Sequence, residues 1–168
     1  MKQLILFAAL LFSTSSAMAQ YPLAKGEKQV NFGFGFSGLG LPVYAGLDFG
    51  VHEDISVGAE FSYRSYNNSY VGKKYHHSII AIAGTANYHF NSLLEMPADE
   101  WDIYAGINIG FYIWNSPSDY DVAGDVSGLG LGGQLGLRYY FKPNMGINLE
   151  LGGSTAASSG KIGLSIKF

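Results

Sequence analysis

Lys161-Ile162-Gly163-Leu164-Ser165-Ile166-Lys167-Phe168 is the stretch whose reading decides the fold. Ile162, Leu164, Ile166 and Phe168 are apolar, and the residues between them are small or polar. Period-two alternation of this kind marks a strand with one greasy face and one wet face. A strand that carries the alternation into an aromatic last residue fits a closed barrel. There the last strand pairs with the first and both sheet edges disappear.

The same pattern recurs upstream. Gln29–Ser37, Val43–Gly50 and Ile55–Arg64 alternate, with a Gly38–Pro42 turn and a His52-Glu53-Asp54 turn between them. A strand ending at Phe90 follows, with both rows partly apolar, then Trp101–Trp114, Gly128–Phe141, Gly146–Ser154 and the final stretch. The expectation is an all-β, eight-stranded antiparallel up-and-down transmembrane β-barrel, each strand long enough to cross a bilayer when tilted. Ser65–His77 and Asn115–Ser127 are expected as two long polar loops on one side, opposite the termini, with short turns at the other end.

Composition narrows the class. Charged residues make up only 14% of the 168, aromatics reach 15%, and there are 23 glycines. The chain is too apolar for disorder. It has no cysteine, hence no disulfide, thiolate metal site or lipidated Cys. A net charge of −3 gives no footprint for nucleic acid. Lys2, the apolar run Leu4–Phe12 and the Ala17-Met18-Ala19 site read as a secretory signal cleaved after Ala19. Residues 1–19 are thus expected as signal peptide and 20–168 as the barrel domain.

Alternation alone does not say which row faces out, since a soluble lipocalin-like barrel points its apolar row inward. Three features place the apolar row outside. The other row is mostly Gly, Ser and Asn, which suits a narrow crowded lumen and not a soluble exterior. Aromatics at the terminal side (Phe49, Tyr88, Phe90, Trp101, Tyr139, Phe141 and Phe168) form one interfacial girdle. Strand charges (Asp48, Glu60, Arg64, Arg138, Glu150 and Lys167) fall in the small-residue row, where they escape a cost of about 2–4 kcal/mol each for facing lipid.

On these residues, together with the Asn87-Tyr88-His89-Phe90 strand end, the mature chain resembles the small outer-membrane barrels of the OmpA/OmpX type. The Gly-rich strands and the Ala-Met-Ala-Gln signal end look most like the versions common in Bacteroidota. The resemblance implies a Gram-negative outer membrane, with Phe168 serving as the assembly signal read by the barrel-assembly machinery. It also implies contact with outer-membrane lipid and lipopolysaccharide, and a monomer. Nothing following the barrel implies a peptidoglycan-binding domain.

Motifs for chemistry are sparse. Gly33–Gly38 and Gly128–Gly133 match G-x-G-x-x-G, but neither opens a helix, so they read as strand glycines. His76-His77 lacks nearby carboxylate partners for a metal, and Asp119, Asp121 and Asp125 lack the full calcium-loop pattern. Ser78 beside His77 is the only neighbouring Ser-His pair, and adjacent strand residues point to opposite faces. Asn67-Asn68-Ser69 is a chance sequon. No catalytic, cofactor-binding or metal-binding residue is expected. The expected feature is a lumenal network of Glu60, Arg64, Arg138, Glu150 and Lys167, with Arg138 opposite Glu150, Lys167 a diagonal step away, and Tyr104, Tyr140 and Gln134 adding hydrogen bonds. The expected role is non-enzymatic, structural or surface-interacting. The alternatives are a narrow channel or an envelope enzyme acting on lipid.

Overall fold

The computed structural model describes residues 23–38, 40–70, 73–96, 100–115, 127–154 and 158–168. Its strands are β1 (Lys28–Phe36), β2 (Val43–His52), β3 (Ile55–Tyr70), β4 (Lys73–His89), β5 (Trp101–Asn115), β6 (Gly128–Lys142), β7 (Met145–Ser154) and β8 (Ser158–Lys167). Each pairs antiparallel with its sequence neighbours, and β1 pairs with β8, so the sheet closes. The last residue takes part: Phe168 and Lys28 exchange backbone hydrogen bonds of 2.9 and 3.3 Å. Residues 1–19, expected as a signal peptide, and the acidic residues Asp119, Asp121 and Asp125 lie outside the described residues.

The two rows are inverted relative to a water-soluble core. Phe34, Ile82, Ile107, Leu129 and Leu151 point outward and are more than half exposed. Gln29, Ser56, His89, Asp102, Arg138 and Ser165 point inward and are buried. The reason is local geometry: the strands alternate with period two, with register irregularities only next to the turns at Gly50/His52 and Tyr140/Lys142, and closure puts the small-residue rows on the concave side.

The expected Ser65–His77 loop is a correction. β3 and β4 continue through it as a paired ribbon, from Ser65↔Ser78 to Tyr70↔Lys73. Its polarity signals contact with water and does not remove the backbone ladder, and Tyr66, Tyr70 and Tyr75 favour strand geometry. β8 likewise starts at Ser158 and not at Lys161.

Both ends of the lumen are narrowed. At the terminal end, residues Leu23–Glu27 turn under the barrel, with Gly26 N–H donating to Gly50 O at 2.8 Å and Gly50 N–H to Glu27 O at 3.0 Å. Leu23 is fully buried there. A side chain at Gly50 would collide with the Ala24 carbonyl, so glycine permits this close approach. At the other end Ile79, Ala81 and Tyr112 form an apolar cluster, flanked by Tyr66 and Trp114.

Candidate functional site

The polar interior is built around two cations. The lower is Arg138 on β6. Its Nη1 donates to Asp102 Oδ2 and its Nη2 to Asp48 Oδ2, both at 2.9 Å. Asp102 is its direct ladder partner on β5, whereas Asp48 reaches it across the lumen from β2. The guanidinium also stacks over the Tyr104 ring at 4.1 Å, where the ring face attracts a cation. Arg suits this place because its planar fork serves two carboxylates at once.

Hydrogen bonds spread from this pair. Asn31 Nδ2 donates to Asp48 at 2.8 Å and Gln29 Nε2 to Asn31 Oδ1 at 2.8 Å. Tyr140 O–H donates to Gln29 Oε1 at 2.5 Å. Ser165, Asn148 and Tyr44 extend the chain: Ser165 Oγ donates to Asn31 at 2.7 Å, Asn148 Nδ2 to Ser165 at 3.0 Å, and Tyr44 O–H to Asn148 at 2.6 Å.

The upper cation is Lys161 on β8. Its Nζ lies 2.7 Å from Glu60 and 2.8 Å from Glu150. Tyr104 joins the two centres, stacking on Arg138 and donating its hydroxyl to Glu150 at 2.8 Å. The ring lies flat over Gly136, where any Cβ would overlap it, so glycine makes room for the link. Gln134 donates to Asn87 at 2.6 Å.

This arrangement corrects the expected pairing. Arg138 does not face Glu150: the ladder sets Arg138 against Asn148 and Glu150 against Gly136. The ladder stands at a shift of two positions from a turn centred on Asn144: the hairpin pairs Lys142 with Met145, and the irregularity between Tyr140 and Lys142 adds one more residue. The shift is even, so both side chains still face the lumen. Lys167 is not near Glu150 either. It pairs with Gln29, about 20 Å along the strand from Lys161 at ~3.3 Å per residue, and its Nζ sits 4.3 Å over the Tyr140 ring. Arg64 joins neither centre, donating to Ser37 Oγ at 3.2 Å near the mouth opposite the termini. Asp102, Asp48 and Lys161 were the partners missing from the expected network, and Lys161 stands in the stretch that identifies the fold. Among the described lumenal residues, Asp48, Glu60, Asp102 and Glu150 balance Arg64, Arg138, Lys161 and Lys167 in formal charge.

The girdle residues lie near the terminal end. Phe49, Tyr88, Trp101, Tyr139 and Phe141 are exposed, and Phe90 and Phe168 half-buried. Trp101 and Tyr139 pack with centroids 4.7 Å apart, and Tyr88 and Phe90 with centroids 5.1 Å apart.

One constellation escaped the sequence reading. His89 Nδ1 lies 2.7 Å from Asp102 Oδ1, and His89 Nε2 lies 3.0 Å from Ser56 Oγ. This is the acid–imidazole–hydroxyl order of a hydrolase triad. Here all three side chains are buried, and Asp102 also binds Arg138. Ser56 is fully buried, so in this conformation its hydroxyl presents no surface, and the three side chains tie β3, β4 and β5 together. The neighbouring pair His77–Ser78 is split by the ladder, as adjacent strand positions are. His77 stacks on Tyr66 inside the mouth, with centroids 4.9 Å apart. His76 takes the opposite row, so the two imidazoles do not share an ion.

The free space is small. A cavity of about 50 Å³ lies among Tyr44, Glu60, Arg64, Tyr112, Glu150 and Lys161. One of about 20 Å³ lies below it around Asp48, Tyr104 and Arg138. These hold a few water molecules at ~10–15 Å³ each.

No family model and no curated protein matches the chain. Solved structures do. The outer membrane protein OprG of Pseudomonas aeruginosa superposes with a TM-score of 0.66 at 11% identity, over 89% of this chain and 99% of its own. The N-terminal β-barrel domain of Pseudomonas aeruginosa OprF gives 0.60 at 16% identity, over 86% and 98%. Ail, the attachment invasion locus protein of Yersinia pestis, in complex with the heparin analogue sucrose octasulfate, gives 0.58 at 13% identity, over 86% and 99%. The chain therefore has the fold of small eight-stranded outer-membrane barrels.

Proposed function

We propose that this chain is a non-enzymatic outer-membrane barrel in which the lumen is a structural pin and the surroundings are met by the outer end. The observation that carries the reading is the inversion of the wall. Apolar side chains cover the outside, while a charged network fills the inside. An exterior with Ile107 at 69% and Leu151 at 70% exposure would aggregate in water and is satisfied by lipid tails. The network crosses the lumen from β2 to β6 and from β3 to β8, which leaves no wide path for solute.

The Ala17-Met18-Ala19 site supports export through a cleaved signal, and the Gly-rich strands support a Bacteroidota-like source. Lipopolysaccharide is the proposed outer-leaflet neighbour. The barrel-assembly machinery is the proposed partner for the β8 end carrying Phe168, and the folded unit is proposed to be a monomer.

The testing experiment is planar-bilayer recording of the purified, folded barrel. The expected trace is free of steady openings. A large, persistent conductance would replace the pin with a pore.

A further inference from the structure

Arg64 is the lumenal cation that no acid serves. Arg138 and Lys161 each hold two carboxylates. Arg64 is 5% exposed, and its side chain donates only to the Ser37 hydroxyl. Among the described residues, no carboxylate forms an ion pair with it. A guanidinium presents five N–H groups in a planar fork, so most of this one is left without a protein acceptor. Burying such a charge without a counter-charge is costly.

Arg64 also lines the larger lumenal cavity, of about 50 Å³. The space exists because β4 sets Ala81 and Ala83 opposite Ser62 and Glu60. The Lys161 centre forms its floor, and it lies under the mouth that Ile79, Ala81 and Tyr112 narrow.

We propose that Arg64 and this cavity form a binding site for a small monocarboxylate, an anion the size of formate or acetate. The carboxylate lies on the guanidinium fork, and its short apolar end lies against Ala81 and Ala83. Three observations choose the class. The planar fork matches a planar carboxylate, two N–H groups to two oxygens. On the floor, Glu60 and Glu150 share Lys161, two acids to one base. That excess repels a phosphate dianion or a dicarboxylate more than it repels a monoanion. The way in passes the apolar cluster at the mouth, where a strongly hydrated polyanion loses its water without replacement. The floor stays shut, so the anion is held and not conducted, which goes beyond the structural pin without opening it.

The test uses the full mature chain folded in zwitterionic detergent micelles, in a buffer without carboxylate. Carbon-13-labelled acetate is titrated in, and NMR follows both the ligand line width and the Arg64 Nε–H resonance. The expected result is a saturable response of both, with a Kd on the order of millimolar for so small a ligand. Arg64→Gln should weaken binding at least about tenfold, the usual loss when a hydrogen bond to a charged group goes. Ala83→Leu fills the cavity and leaves every charge in place, and should abolish binding. A linear response without saturation, or one that Arg64→Gln leaves unchanged, overturns the site. Binding that survives Ala83→Leu overturns the cavity as its place. Inorganic phosphate that saturates at the same or a lower concentration than acetate overturns the monocarboxylate class. The Arg64 resonance is read in the unaltered chain, so its silence decides against the proposal even where a variant does not fold.

Discussion

The two cationic centres of the lumen hold similar charges in different surroundings. Arg138 and its partners Asp48 and Asp102 have side-chain exposures of 2%, 8% and 0%. Lys161, Glu60 and Glu150 have 15%, 20% and 12%, and border the larger cavity. The lower centre is a forked clamp that borders only the smaller cavity, and the upper is a point charge that also borders the larger one. Loss of a partner should therefore be worst where water cannot take its place.

Arg138→Ala should have the largest effect. It strands Asp48 and Asp102 in the more deeply buried site, and loss of one partner from such a pair costs about 3–5 kcal/mol. The midpoint of urea unfolding in vesicles should fall accordingly, and an unchanged midpoint would break the contrast. His89→Ala comes next at about 2 kcal/mol, because Asp102 and Ser56 each lose a hydrogen bond. Lys161→Ala should cost about 1–2 kcal/mol, since the adjoining cavity lets water reach Glu60 and Glu150. If Lys161→Ala proves as damaging as Arg138→Ala, hydration is not what separates the centres. Ser56→Ala should be smallest, at about 1 kcal/mol, with ester hydrolysis by the purified barrel the same before and after. A Ser56-dependent hydrolytic rate would turn the tie into a working triad. The double variant Arg138→Ala/Lys161→Ala would sharpen the comparison, because a cost different from the summed single costs measures the coupling through Tyr104.

Particular residues show how much was legible. The inward row of β6 and the outward row of β8 could be read directly, because side-chain direction depends only on position along a strand. The β3–β4 ribbon was misread because polarity was taken for loop, although hydrogen-bonded ribbons in water are polar on both faces. Glu150 was placed beside Arg138 because the turn was centred on Asn144 with an unbroken register; the hairpin instead pairs Lys142 with Met145, and the irregularity at Tyr140/Lys142 adds one more residue, two in all. Ser56, His89 and Asp102 come from β3, β4 and β5 and carry no spacing signal that joins them.

The sequence by itself determined that eight alternating strands would put small and polar residues on one face of each strand and apolar residues on the other. That follows from the pleat, which is local. Only the tertiary structure decided which inward residues meet: Asp48 with Arg138 from opposite walls, Glu60 with Lys161, and Tyr104 between the two centres. Closure, stagger and bulges fix those distances, and they are properties of the whole ring of strands that no single strand contains.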